Sequence, residues 1–224
     1  MANIRKDKDI LFDVENQLVW DARVLSDNVD VKVEDGVVTL SGSVGTYTAK
    51  RAAEEDAWLT LGVIAVNSQL DVKYEKAELP ADKDLEERIL NKFLWDADLM
   101  SYKFEVDVNA GIATLKGTVD SYWKKEWAET LAERTYGVVM VKNAVTVVPT
   151  EQISDEVIAE EISESLARKL LKVELDKFDT KVKNGEVEFK GTVSNYAVWD
   201  AVMNTARYTA GVLKIDDDLI IERE

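Results

Sequence analysis

Residues 29–44 read Val29-Asp30-Val31-Lys32-Val33-Glu34-Asp35-Gly36-Val37-Val38-Thr39-Leu40-Ser41-Gly42-Ser43-Val44, and their pattern decides the fold. Val29, Val31 and Val33 alternate with charged residues, the period of a strand that buries one face. Asp35-Gly36 supplies a turn whose glycine takes positive φ, and Val38 and Leu40 resume the alternation on a returning strand. The stretch is a β-hairpin. It returns as Phe104, Val106 and Val108 before Ala110-Gly111, with Ala113 and Leu115 after. It returns again as Phe178, Thr180 and Val182 before Asn184-Gly185, with Val187 and Phe189 after. In that third copy the intervening Glu186, Glu188 and Lys190 require one face to meet water.

Working outward, nine of the ten glycines fall into three columns. Gly36, Gly111 and Gly185 close the turns, Gly42, Gly117 and Gly191 end the returning strands, and Gly62, Gly137 and Gly211 follow later. A recurring position that favours glycine reports a fixed backbone geometry, so the chain is three copies of one module. Glycine in the second column permits a bulge or the close passage of a helix. Ahead of each hairpin, apolar residues four apart mark one helix face: Ile10, Val14 and Leu18, then Leu85, Ile89 and Phe93, then Ile158, Ile162 and Leu166. The third set is one residue out of register, so its helix-to-strand loop should differ. After each hairpin, Thr46, Ser121 and Asn195 are expected N-caps of a second helix, each followed by a tyrosine: Tyr47, Tyr122 and Tyr196. That helix should end at the third glycine column in a left-handed residue. A last strand follows, with Ile64, Val66, Leu70 and Val72 matched by Val139, Val141, Val145 and Val147, and by Leu213, Ile215, Leu219 and Ile221.

The expected order is α-β-β-α-β, an α+β module. A right-handed crossover places the last strand parallel to a hairpin strand, giving a small mixed three-stranded sheet with both helices on one face and both edges open. Pro80 and Pro149, the only prolines, mark short linkers from Glu75 to Asp82 and from Pro149 to Ser154. The expected domains are residues 1–76, 79–149 and 152–224.

The chain is 46% hydrophobic and 32% charged, which is globular composition. No apolar stretch has the length to cross a bilayer, and the charged amino terminus, from Met1 to Asp9, lacks the apolar region of an export signal. The expectation is a cytoplasmic protein as written, or a periplasmic one had a signal peptide been removed. With no cysteine and no histidine, disulfides, thiolate metal sites and the usual general base are excluded. The net charge of −16 is spread over every module, so none offers the cationic face that nucleic acid requires. There is no nucleophile with an evident base, no phosphate loop and no metal-ligand spacing. Neither an enzyme nor a cofactor is expected.

The α-β-β-α-β order, Val-x-Val ahead of Asn/Asp-Gly, the strand Val-x-Leu-x-Gly-x-Val and a helix closing in Gly-Val resemble the BON domain (bacterial OsmY and nodulation) across nearly the whole chain. The resemblance implies a non-enzymatic binding module linked to osmotic stress, the bacterial envelope or phospholipid surfaces, and in some members to potassium.

Its signature columns are structural, so ligand contacts must be sought elsewhere. Tyr47, Tyr122 and Tyr196 read as staples of helix to sheet, or as recurring contacts for a ligand or neighbouring module. Trp123, beside Tyr122, Lys124 and Lys125, suits a lipid headgroup interface or a protein groove, while Trp127 shares a column with Ala52 and Ala201 and reads as packed. Trp20 and Trp95 recur in the first two copies and are expected to pack modules together. Asp216-Asp217-Asp218 reads as a solvated acidic turn. Three functions follow: phospholipid-surface binding through Trp123 and its lysines, potassium binding or sensing, and homotypic assembly through open sheet edges. The expected partner is thus a phospholipid surface or a protein, itself included.

Overall fold

Both central residues of each hairpin turn take positive φ: Asp35 and Gly36 at 51° and 78°, Ala110 and Gly111 at 49° and 76°, Asn184 and Gly185 at 52° and 74°. This turn has the twist that two antiparallel strands need, so the hairpin is closed by local sequence. A computed structural model describes residues 5–25, 28–74 and 79–222 of the chain. The first module runs α1 (Asp7–Trp20), β1 (Val29–Glu34), β2 (Val37–Val44), α2 (Tyr47–Leu59) and β3 (Ala65–Val72). The second runs α3 (Asp82–Trp95), β4 (Phe104–Asn109), β5 (Ile112–Val119), α4 (Tyr122–Glu133) and β6 (Met140–Val147). The third runs α5 (Asp155–Lys169), α6 (Lys172–Leu175), β7 (Phe178–Lys183), β8 (Glu186–Val193), α7 (Tyr196–Tyr208) and β9 (Lys214–Ile221). The extra turn α6 is the altered loop that the register shift of α5 demands. The linker expected from Glu75 to Asp82 lies in part outside the described residues, as do residues 1–4.

Each module builds one mixed sheet with the returning hairpin strand at its centre. β2 pairs antiparallel with β1, from Val29↔Gly42 to Glu34↔Val37, and parallel with β3, from Val37↔Ala65 to Val44↔Val72. The other two sheets repeat this register. One apolar cluster per module joins the fourfold stripe of the first helix to inward strand residues such as Val38 and Leu40, and to alanines of the second helix. Ala49, Ala52, Ala53 and Ala57 are small, which lets α2 lie close to its sheet.

An aspartate at the start of each first helix ties that helix to the hairpin turn. Asp7 accepts from the amides of Asp35 and Gly36 at 2.8 and 3.0 Å, Asp82 from those of Ala110 and Gly111 at 2.8 and 3.0 Å, and Asp155 from those of Asn184 and Gly185 at 2.7 and 2.9 Å. The two successive amides exposed by a left-handed turn are thereby satisfied by one carboxylate.

Three local expectations are corrected. Thr46 and Asn195 cap their helices, accepting from Ala49 and Val198 at 3.0 and 3.1 Å, but the Ser121 hydroxyl donates to Asp120 instead. Gly42, Gly117 and Gly191 make neither a bulge nor room for a helix: the parallel pairing with the last strand runs straight through them, and a Cβ would stand 2.1, 2.6 and 2.4 Å from the carbonyl oxygens of Asn28, Lys103 and Lys177. What passes close is the chain entering the partner strand. Gly62 and its equivalents have positive φ but lie beyond the helix cap, where a Cβ would meet Ile10, Leu85 or Ile158 at the start of the first helix's buried face.

Candidate functional site

The three second helices meet head to tail. At the first seam Arg51 of α2 faces Glu133 at the end of α4, Nε to Oε1 3.6 Å. Beside it, Tyr74 donates to the Val138 carbonyl at 2.7 Å, with its ring edge-on to Tyr136 at 4.8 Å. At the second seam Glu126 of α4 pairs with Arg207 near the end of α7, while Leu213 packs against the second module's core and Tyr122 against the third's. At the third seam Tyr196 of α7 stacks on Trp58 of α2, ring centroids 5.4 Å apart at 18°. Ile64 joins the third module's core there.

These contacts follow columns. At two seams the residue four after a tyrosine (Arg51, Glu126) pairs with the residue eleven after the tyrosine of the next module (Glu133, Arg207), and at the third the same two columns, Asp200 and Trp58, line one cavity. A head-to-tail contact repeated three times closes a ring. Tyr47, Tyr122 and Tyr196 stand at the seams, and burial pushes their phenols up, Tyr122 to about 12. The third seam also holds a cavity of about 630 Å³.

Trp20 and Trp95 do not bridge modules. They are 83% and 86% exposed, because the seams are built by second helices and the ends of first helices have no neighbouring module to pack on. Near each in sequence stand further exposed apolar residues: Val19 and Leu25 in the first module, and Leu94 and Met100 in the second. Trp95 further shares a shallow depression of about 460 Å³ with Arg88, Lys92, Arg134 and Tyr136. Lys92 donates to the carbonyls of Leu131 and Arg134 at 3.2 and 2.8 Å, which leaves Arg88 and Arg134 as the exposed cations.

The cluster around Trp123 is more enclosed. Trp123 is half-buried, and the Lys124 ammonium is held by the Tyr102 hydroxyl at 2.9 Å and Asp120 at 3.0 Å, 5.7 Å from the Trp123 ring centroid. Lys125 is half-buried beside it. Trp127 packs on the module core and donates to Asp96 at 2.9 Å. In the acidic run, Asp217 accepts from the Trp199 indole at 2.8 Å and Asp216 pairs with Lys214. Among the described residues no group of three or more carboxylates could hold a metal ion, and no helix is long and apolar enough to cross a membrane.

A family model described as the BON domain matches residues 6–74, 81–149 and 154–223. The chain belongs to the BON domain family. Its BON modules are similar to Osmotically-inducible protein Y of Escherichia coli (strain K12), 31% identical over 147 residues that cover 64% of this chain and 73% of that relative. Among solved structures, two of CdsD, a structural protein of the Type III secretion system of Chlamydia trachomatis, were matched. One is its C-terminal domain, 12% identical, covering 97% of this chain and all of that one; the other is 13% identical, covering 96% and 92%. Both have a TM-score of 0.26.

Sequence reading of the BON modules missed the seam partners Arg51, Glu133, Glu126, Arg207 and Trp58. A signal was present: the columns four and eleven after the tyrosine, offset by one module, hold complementary charges at two of the three seams. Each charge alone reads as an ordinary solvated helix face.

Proposed function

We propose that this BON protein is a non-enzymatic binding protein of the osmotic-stress response that docks on phospholipid surfaces through the end of α3. Similarity to Osmotically-inducible protein Y supports the stress assignment. The observation that carries the surface is Trp95, almost wholly exposed, flanked by Leu94 and Met100 and bordered by Arg88 and Arg134. An indole with short apolar neighbours enters the headgroup boundary, and two guanidinium groups bind phosphate oxygens. This local cationic rim offsets the −16 net charge, which would otherwise repel an anionic membrane. Trp20 with Val19 and Leu25 gives the first module a matching apolar point. The Trp123 site is the weaker candidate, since its Lys124 is committed to Asp120 and Tyr102.

Flotation with neutral and anionic liposomes tests this reading. Wild type should float with anionic vesicles, Trp95→Ala should lose at least about tenfold in partitioning, a loss of about 1.4 kcal/mol, and Trp123→Ala should float like wild type. Arg88→Gln with Arg134→Gln should remove the preference for anionic lipid. Loss with Trp123→Ala alone would return the site to α4, and a wild type that ignores every vesicle would end the lipid reading.

A further inference from the structure

We propose that the cavity at the third seam binds a small organic cation bearing a guanidinium group, held between the Asp200 carboxylate and the Trp58 indole. The argument comes from the chain's own internal symmetry. At the first seam Arg51 meets Glu133, and at the second Glu126 meets Arg207: each joins one guanidinium to one carboxylate across the same two columns. At the third seam those columns hold Asp200 and Trp58. The carboxylate is kept and the guanidinium is gone. Asp200 is half-buried and has neither an ion pair nor a hydrogen bond among the described residues.

The space beside it fits a guest. At about 630 Å³ it is in the range of small-molecule sites, and it lies between modules, where such sites are commonly found. Its wall is a continuous aromatic stack: Trp58 on Tyr196 at 5.4 Å, and Tyr196 on Trp199 at 5.2 Å and 22°. A planar cation is attracted to an indole face and donates two parallel N–H bonds to a carboxylate, so the guanidinium suits both walls at once. The field favours a cation over an anion. Glu54, Glu55, Asp200 and Asp217 bring four carboxylates to the lining against the guanidinium groups of Arg51 and Arg207; Arg51 and Arg207 are met by Glu133 and Glu126 of the second module and Glu55 by Arg23, while Asp200 has no such partner among the described residues.

Titration of the full chain, followed by tryptophan fluorescence, separates this from a structural gap. The probes are methylguanidinium and agmatine, with methylurea as the uncharged isostere and sodium chloride as the ionic-strength control. Saturable binding of both guanidinium probes and none of methylurea is expected. Asp200→Asn should weaken binding at least tenfold while leaving the thermal midpoint in place. Trp58→Arg supplies the missing guanidinium within the chain and removes the indole wall, so it should abolish binding. A tripeptide with a central arginine reports the source: binding equal to agmatine means that a protein's arginyl side chain can reach the site, and its exclusion restricts the site to free small molecules, the cation chemistry standing in both. No saturable response of wild type to either guanidinium probe, equal binding of methylurea, or undiminished binding by Asp200→Asn would overturn the proposal.

Discussion

Ala110 holds a φ of 49° at the turn position that Asp35 and Asn184 occupy in the other modules. A Cβ in the left-handed region costs about 1 kcal/mol, less for Asn and Asp, whose side chains bond locally. Ala110→Asn should therefore raise stability by about 0.5–1 kcal/mol, and Asn184→Ala should lower it by a similar amount, both read by denaturant unfolding. No change in either would mean that the turn angle is relaxed in solution. At Gly117 the constraint is a backbone oxygen 2.6 Å from where a Cβ would lie, so Gly117→Val should cost more than about 1 kcal/mol. An unchanged midpoint would show that this approach is not tight. At this scale the glycines were legible in the sequence, because few other residues fit such positions. The clamp made by Asp7, Asp82 and Asp155 was not, since an aspartate opening a helix reads equally well as a partner of the helix dipole.

At the scale of the element, the end of α4 joins a half-buried carboxylate, Glu133, to the first seam. Burial, then the nearby Glu129 and Glu54, push Glu133 up to about 7 against the opposing pull of Arg51. An unfolded glutamate titrates near about 4.3, so the folded state holds the extra proton between those values. The resulting stability is complete at low pH and is lost as pH rises through about 7. Asp56, raised to about 6 by burial and then by Asp21, adds a similar effect ending lower. Between pH 6 and 8 the slope should belong chiefly to Glu133, amounting to about 1 kcal/mol. Glu133→Gln should flatten it in thermal unfolding, and an unchanged slope would place the titration elsewhere. Helices, strands and hairpins were readable from periodicity, because each period reports a buried face. The seams were not, because Arg51, Glu133, Glu126 and Arg207 read as ordinary solvated helix charges within a single module.

At the scale of the whole molecule, three modules with one pattern differ where they touch. Two seams carry an arginine and a glutamate, whereas the third carries an aromatic stack, a lone Asp200 and a cavity. The exposed tryptophans stand at the ends of first helices, outside the contacts that close the ring. That division explains why Trp20, Trp95 and Trp123 could be picked out from the sequence but not sorted, and why Trp58 was missed: they differ only in what the fold brings beside them. The ring, and with it the cation site proposed at the third seam, depends on closure at the seam that no linker spans. Because the chain has no cysteine, a Leu61→Cys and Ala197→Cys double variant, which leaves the Trp58–Tyr196 stack intact and places two exposed thiols on the two modules that line a second cavity at this seam, can be treated with a short bismaleimide at low protein concentration. A closed ring predicts a rapid crosslink within single chains. Crosslinks that form only between chains, or not at all while both thiols remain reactive, would contradict it.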